Sequence, residues 1–307
     1  MYKRQLQELI AYGRERNVQI VLWLTWLAVE KDMDRLFATL EEWGIPGVKI
    51  DFMDRSDQWM VGYYERVMKC AARHRLFVDM HGSYTPKGLC RTYPNLLTYE
   101  GVLGMEQGAR CKPENSNWLP FIRNAVGPMD FTPGTFDILY ENTRNSPRRK
   151  LWNCGPEVDM RVNTTLAKQI AEWVIIYSPV QMASDLIENY EGHPAFRFFR
   201  DFDADCDWSR ALAGEPGEFV AVVRRAGENY FLGAATDEQP RTLSLPLDFL
   251  KPGTKYRATI YADGPDADWK TNPTSYTISE REVSSADTLE VAMAPGGGQA
   301  VSFMPAI

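Results

Sequence analysis

The first two hundred residues alternate between two hydrophobic patterns. Apolar residues recur at helical spacing in KRQLQELIAYGRER, KDMDRLFATLEEWG and SDQWMVGYYERVMKCAARHR, and the short apolar runs VQIVLWL, GVKIDFM and LFVDMHG follow them. Later apolar runs, each predicted to be a strand, are GVLGMEQ, GPMDFTPG and SPVQMAS. Helices that alternate with buried strands are typical of βα units around a parallel sheet. The pattern therefore predicts a (β/α) barrel domain over residues 1–205.

This series supplies about six strand candidates, whereas the (β/α)8 TIM barrel closes with eight. An open parallel sheet would leave edges that can pair with other chains. Residue 1 falls within a helix that should follow a strand. We therefore predict a fold of the α/β class, a TIM barrel that lacks its first strands, with about two βα units expected before Met1.

The pattern changes after residue 205. Apolar and polar residues alternate with a period of two, with turn signals every eight to twelve residues, in GEFVAVVRRAG, NYFLGAATD, RTLSLPLDFL and KYRATIYADG. This alternation indicates antiparallel strands with one face on a core. We predict a C-terminal antiparallel β-sandwich domain over residues 206–307.

Composition narrows the class of function. The 307 residues carry a net charge of -7 and contain no run of Lys and Arg, which argues against nucleic acid as a partner. No apolar run approaches the roughly 18 residues of a membrane helix, so no membrane partner is expected. The five cysteines are scattered without CxxC spacing, so the sequence indicates neither a structural zinc site nor a disulfide framework.

Three carboxylates stand at the ends of predicted strands: Asp51 in GVKIDFMD, Asp79 in LFVDMHG and Glu106 in GVLGMEQ. Catalytic side chains of (β/α) barrels occupy the carboxyl ends of the strands, although acids there can equally cap neighbouring helices. Glycoside hydrolysis is the reaction that most needs two facing carboxyl groups. Neither a GxSxG motif nor a phosphate-binding glycine loop is present, which argues against esterases and NTPases.

The motifs GVKIDFMD, HGSYTPKGLCRTYPNLLTYEGVLGMEQ and GPMDFTPG, with SPVQMASD and APGGGQA further on, resemble glycoside hydrolase family 97. The similarity runs from about residue 5 to the end of the chain. It implies a three-part enzyme with an N-terminal β-sandwich, a (β/α)8 barrel and a C-terminal β domain. It also implies an oligosaccharide substrate and a periplasmic or secreted location.

The resemblance also distinguishes between an inverting and a retaining mechanism. Inverting members place a base glutamate directly after a strand-end histidine, yet here His81 is followed by Gly82. Asp51 stands where retaining members carry their nucleophile, and Glu106 matches the position of the acid. The resemblance thus implies a retaining α-galactosidase that works through a covalent glycosyl-aspartate. The alternatives are an α-glucosidase of the same family and a non-catalytic carbohydrate-binding or inactive fragment.

Substrate contacts are expected from three further residues. Lys49 lies two positions before Asp51 and so points to the same side of the strand, where it could bind a sugar hydroxyl or form an ion pair. His81 could donate to a sugar hydroxyl or be a satisfied core histidine. Trp23, with Trp26 and Trp59, could stack on a sugar ring or pack in the core.

A calcium ion is implied by the resemblance alone. Family members hold Ca²⁺ beside the acid, and Glu100 and Glu106 occupy matching positions. Calcium needs six to eight oxygen ligands. Because Gly82 replaces one ligand and another belongs to the N-terminal sandwich, we expect weak or absent calcium binding in this chain. Asp130 and Arg91 are weaker candidates, expected to hold loops.

Overall fold

A computed structural model describes residues 3–141 and 161–306, so Cys154 lies outside the described part. The chain forms two compact units. The first comprises residues 1–102, 126–130 and 178–180, and the second comprises 103–125, 131–177 and 181–307. No helix within the described ranges is long and apolar enough to cross a membrane. The predicted domain boundary at residues 205 and 206 stays a prediction.

The first unit is built from βα repeats. Its helices and strands are α1 Lys3–Arg14, β1 Leu22–Thr25, α2 Trp26–Lys31, α3 Met33–Trp43, β2 Gly47–Asp51, α4 Gln58–Arg73, β3 Phe77–Met80, α5 Leu89–Thr92 and β4 Leu96–Tyr99. The four strands form one parallel sheet in the order β1-β2-β3-β4. The register pairs Thr25 with Asp51 and Met80 with Tyr99. The residues that end these strands therefore lie along one edge of the sheet.

The core of this unit lies between the sheet and its helices. Val48 and Ile50 of β2 are completely buried, and the buried face of α4 includes Tyr64 and Val67. The helix α3 ends at Gly44, which takes a left-handed conformation (φ 77°) and donates its N–H to the last turn. Glycine adopts this conformation without steric cost, so the sequence itself stops α3 before β2.

Three of the predicted strands are confirmed as β1, β2 and β3, but the fourth was wrongly placed. GVLGMEQ contains no strand; β4 precedes it at LLTY, and residues Met105–Arg110 form a 3-10 helix. Gly101, with φ 49°, ends the extended run after β4. The predicted strands GPMDFTPG and SPVQMAS have no regular strand structure either. Closure into a (β/α)8 barrel stays a prediction.

The second unit contains the predicted antiparallel region. Its helices after the 3-10 segment are α6 Pro113–Ile122, α7 Leu166–Ile175, α8 Ile187–Tyr190 and α9 Phe196–Asp201, and a 3-10 turn, Asn124–Val126, follows α6. Its strands are β5 Trp208–Glu215, β6 Phe219–Ala226, β7 Asn229–Thr236, β8 Arg241–Pro246, β9 Tyr256–Asp263, β10 Tyr276–Val283, β11 Thr288–Met293 and β12 Gly298–Pro305. A six-stranded sheet has the order β10-β9-β12-β7-β6-β5, and β11 pairs with β8. All their pairings are antiparallel, as predicted.

Helix α7 packs on the six-stranded sheet, with β7 presenting a glycine to it. A Cβ built on Gly233 would lie 2.5 Å from the carbonyl oxygen of Ala171 and 2.8 Å from Val174 Cβ. The buried Lys168 of α7 donates from Nζ to the carbonyl oxygens of Pro113 (2.6 Å) and Thr236 (2.8 Å). Burial lowers the pKa of Lys168 to about 8. These contacts tie α7 to α6 and β7.

We predict that Gly233→Ala destabilises the protein by about 1–3 kcal/mol, because α7 must move to admit a methyl group. The matched control is Gly62→Ala on α4, where the nearest atom to the new Cβ is 3.7 Å away. Alanine there should stabilise the helix by about 0.5–1 kcal/mol. Thermal and urea unfolding of the two variants measure both changes. Equal stability of Gly233→Ala and the native chain would contradict the packing described.

Candidate active site

Asp51 is the last residue of β2 and is buried. Its Oδ2 accepts a hydrogen bond from the indole N–H of Trp23 at 2.9 Å and lies 3.2 Å from Nδ1 of His81. Its Oδ1 accepts the backbone N–H of Phe52 at 2.5 Å. Burial acts to raise the pKa of Asp51, but the hydrogen bonds from His81, Trp23 and Phe52 outweigh it and lower the pKa. Asp51 is therefore held as a carboxylate.

These partners meet because parallel strands end at the same edge of the sheet. Trp23 belongs to β1, and His81 directly follows β3 and donates its backbone N–H to Ile50 O at 2.8 Å. After Asp51 the backbone takes left-handed conformations at Phe52 (φ 67°) and Asp54 (φ 43°). Such conformations are strained for residues other than glycine and concentrate at functional sites. The N–H of Asp54 donates to Gly82 O at 2.8 Å, which joins the loops after β2 and β3.

Gly82 packs directly against Asp51. Its φ is 54°, and a Cβ at this position would lie 3.0 Å from Asp51 Oδ1 and 3.0 Å from the backbone nitrogen of Phe52. A larger side chain would therefore crowd the carboxylate. The close approach gives a physical reason for glycine at the position where inverting members are expected to carry glutamate.

A second group of charges lies beside the sheet. Lys49 Nζ is 2.6 Å from Asp130 Oδ2 and 3.7 Å from Asp79 Oδ2, and both aspartates are buried. Burial and the neighbouring Asp130 raise the pKa of Asp79 well above its ordinary value, which favours its protonated form. Burial lowers the pKa of Lys49, but Asp130 and Asp79 raise it more strongly. Lys49 is thus a partly buried ammonium ion paired with Asp130.

His81 lies between two carboxylates. Nδ1 faces Asp51, and Nε2 is 3.4 Å from Glu100 Oε1. Burial opposes protonation of the ring, yet the hydrogen bond to Asp51 and the charge of Glu100 outweigh it and raise the pKa of His81. Glu100 in turn accepts the N–H of Gly82 on Oε2 at 2.7 Å. Both ring nitrogens therefore face acids, and contact of His81 with a sugar stays a prediction.

Two exposed aromatic rings flank the carboxylate. Trp23 is 50% exposed and Phe52 is 54% exposed, and their rings meet edge to face at 5.4 Å. Trp26 and Trp59 instead pack with Tyr63, at 5.8 Å from each other and 6.0 and 5.9 Å from that ring. The aromatic surface next to Asp51 is thus Trp23 with Phe52, and no sequence pattern had indicated Phe52.

Glu106 belongs to the second unit. It is the second residue of the 3-10 helix Met105–Arg110, it is exposed, and its Oε1 lies 3.4 Å from the side-chain nitrogen of Gln107. Its role as the acid that faces Asp51 stays a prediction.

The contacts of Glu100 limit how it could bind calcium. Glu100 offers the carboxylate oxygens that Ca²⁺ prefers, but one oxygen already accepts the Gly82 N–H and the other faces a nitrogen of His81. Nitrogen is a poor ligand for a hard cation. Among the described residues of the first unit, Glu100 therefore fits as a single ligand, and the other oxygens of a calcium site must come from elsewhere. Calcium binding stays a prediction.

Comparison with known proteins agrees with this architecture. The profile of the family described as "Glycoside hydrolase 97" matches residues 1–102, and that described as "Glycosyl-hydrolase 97 C-terminal, oligomerisation" matches residues 205–304. Together the two profiles match about two thirds of the chain. The chain belongs to glycoside hydrolase family 97.

Two similar proteins are longer than this chain. A retaining alpha-galactosidase of Bacteroides thetaiotaomicron is 35% identical over 305 residues, which are 97% of this chain and 44% of that protein. A probable retaining alpha-galactosidase of Streptomyces bingchenggensis is 34% identical, over 95% of this chain and 42% of that protein. The chain therefore spans less than half the length of these relatives.

The chain also matches about half of a longer protein whose structure has been solved. A variant of a glycoside hydrolase family 97 enzyme from Pseudoalteromonas sp. strain K8, in complex with panose, superposes with a TM-score of 0.87 at 35% identity. The match covers 98% of this chain and 49% of that one. A beta-arabinopyranosidase shares the fold, with a TM-score of 0.79 at 23% identity.

We predict that the imidazole of His81 titrates above its ordinary pKa of about 6.5, and that Asp51→Asn lowers that midpoint. The charged ring then adds stability that is complete below about pH 6.5 and is lost as the pH rises through the higher pKa of the folded state. NMR titration of the histidine rings measures the midpoint. His193, whose pKa is lowered by burial, is the internal control and should not respond to Asp51→Asn. An unchanged His81 midpoint in Asp51→Asn would rule out the Asp51 contact as its cause.

Proposed function

We propose that this chain carries the nucleophile of a retaining α-glycosidase, with terminal α-linked galactose as the sugar. The observation that carries the proposal is the buried, ionised carboxylate of Asp51 at a strand end, beside the exposed rings of Trp23 and Phe52. An aspartate carboxylate has about four lone-pair positions, and three are used by Trp23, His81 and Phe52. One remains for the anomeric carbon of a sugar.

The reaction follows from these roles. An oxygen of Asp51 forms a bond to the anomeric carbon while the bond to the leaving oxygen breaks, and Glu106 gives that oxygen its proton. Water then attacks the anomeric carbon of the glycosyl-aspartate, loses a proton to Glu106 and releases Asp51 as a carboxylate. The two displacements together retain the configuration of the sugar.

Retention rather than inversion is supported by the surroundings of Asp51. An inverting enzyme needs a carboxylate base that activates a water molecule on the face of the sugar opposite the leaving group. The position after His81 is Gly82, whose backbone lies so close to Asp51 Oδ1 that a glutamate there would need the loop to move. The hydrogen bonds that lower the pKa of Asp51 suit a nucleophile that must be ionised before it attacks.

Galactose is supported by the names of the two curated relatives, which are a retaining and a probable retaining alpha-galactosidase. An α-glucosidase of the same family is the second candidate, and a solved relative was obtained in complex with panose. Hydrolysis rates on nitrophenyl α-galactoside and nitrophenyl α-glucoside distinguish the two.

An oligosaccharide substrate, calcium, an N-terminal β-sandwich partner domain and a periplasmic or secreted location stay predictions.

We predict that Asp51→Gly reduces hydrolysis of nitrophenyl α-galactoside by at least about 10³-fold, because no group remains to form the covalent bond. Azide should restore turnover to this variant, since the small anion can enter the space left by the carboxylate, and the product should be a β-galactosyl azide. The assay uses this chain and, where its gene encodes a longer polypeptide, that polypeptide. Asp57→Gly, which removes the N-cap of α4, is a matched control that azide should not affect. Full activity of Asp51→Gly would refute the assignment.

We further predict that Glu106→Gln slows hydrolysis of natural α-galactosides by about 10²–10⁴-fold, because an amide cannot donate the proton that the leaving oxygen needs. The loss should be much smaller for nitrophenyl α-galactoside, whose leaving group is stable as an anion. Rates on the two substrates, compared between native and variant, measure this difference. Equal losses on both substrates would exclude Glu106 as the acid.

A further inference from the structure

Three side chains of the types that bind metal ions meet where α3 and α4 pack in the first unit. Asp34 lies in the first turn of α3, Cys70 in the last turn of α4, and His74 caps the end of α4. Asp34 Oδ1 is 3.5 Å from Cys70 Sγ and 3.4 Å from His74 Nε2, and the three atoms all lie within 4.8 Å of one another. Cys70 and His74 are four residues apart on a helix and therefore share a face.

These separations match a small tetrahedral ion. Zinc binds oxygen and nitrogen at about 2.0–2.2 Å and sulfur at about 2.3 Å. The edges of such a tetrahedron are about 3.3–3.7 Å long, from the same bond lengths. The two measured distances to Asp34 Oδ1 fall within that range. Two of the three separations therefore equal edges of a zinc tetrahedron, and the third, between Cys70 Sγ and His74 Nε2, is at most 4.8 Å.

A carboxylate fixes the orientation of the histidine. Nδ1 of His74 lies 3.0 Å from Oε2 of Glu41, seven residues after Asp34 on the same helix. Metal-bound histidines usually donate their other ring N–H to a carboxylate in this way, and that bond sets which nitrogen faces the metal. Here it leaves Nε2 to face Asp34 and Cys70.

The guanidinium group of Arg73 already contacts two members of this cluster. Nη2 of Arg73 is 2.6 Å from Asp34 Oδ1 and 3.4 Å from Cys70 Sγ. Hydrogen bonds from Arg73, His74 and Cys70 lower the pKa of Asp34, which keeps it ionised. The side chain of Arg73 is 61% exposed, so it can turn into solvent when another cation takes its place.

We propose that Asp34, Cys70 and His74 bind one divalent zinc ion, with water as the fourth ligand. Thiolate and imidazole with one carboxylate form a ligand set suited to zinc and unsuited to calcium. On binding, the Cys70 thiol releases its proton to solvent and Arg73 leaves the carboxylate. The ion then links α3 to α4. The site is separate from the calcium site implied by the resemblance, which involves Glu100 and Glu106.

The test is titration of the reduced 307-residue chain with Co²⁺, followed by displacement with Zn²⁺. We expect one Co²⁺ per chain, with a thiolate-to-metal charge-transfer band and the strong visible bands of tetrahedral cobalt. Zinc should displace it and raise the melting temperature. Cys70→Ser should abolish the charge-transfer band, and Asp34→Asn and His74→Gln should each weaken zinc binding. Asp34 is exposed, so Asp34→Asn tests the site without disturbing the core.

Two further variants separate a metal site from a hydrogen-bonded cluster. Glu41→Gln should weaken zinc binding by about 10–100-fold through the orientation of His74. Arg73→Gln should strengthen it, because a competing cation is removed. Cys90→Ser and Cys206→Ser are the matched controls, since both thiols are free and lie outside the cluster. The proposal is overturned if the charge-transfer band persists in Cys70→Ser or is lost in the controls, or if native chain and Asp34→Asn bind zinc equally.

Discussion

The first unit is organised around one constraint, which is that the buried Asp51 must remain ionised. Removal of a carboxylate from water is costly unless hydrogen bonds replace the lost hydration. The indole of Trp23, the ring of His81 and the backbone N–H of Phe52 supply these bonds. Each comes from a different position at the edge of the sheet, so the carboxylate depends on the correct register of β1, β2 and β3.

The ionisable side chains near Asp51 also shift the pKa values of one another. The acids around them raise the pKa values of Lys49 and His81, and burial and Asp130 raise the pKa of Asp79. A protonated carboxyl avoids the repulsion that a further anion would experience beside Asp130. The sequence offered Lys49 two roles, a contact to sugar or an ion pair. The ion pair with Asp130 is present, and the sugar contact stays a prediction.

Most of the local structure could be predicted from the sequence because local patterns encode it. The helical periodicities of α3 and α4, the glycine that ends α3 and the alternation in β6 and β7 each depend on neighbours within a few residues. The placement of β4 failed because LLTY and GVLGMEQ are both short apolar runs. In the structure only LLTY is a strand, and Gly101 with its left-handed conformation follows it.

The sequence by itself determined that Asp51 follows a buried strand and that the chain resembles family 97, since both depend on contiguous motifs. Only the tertiary structure brought Asp130 to Lys49, 81 positions away, and placed Phe52 beside Trp23. It likewise joined Asp34 to Cys70, 36 positions apart, although the spacing of the cysteines had indicated no zinc site. Contacts between distant positions depend on strand register and helix packing, which are set by the summed burial of many side chains and by no single motif.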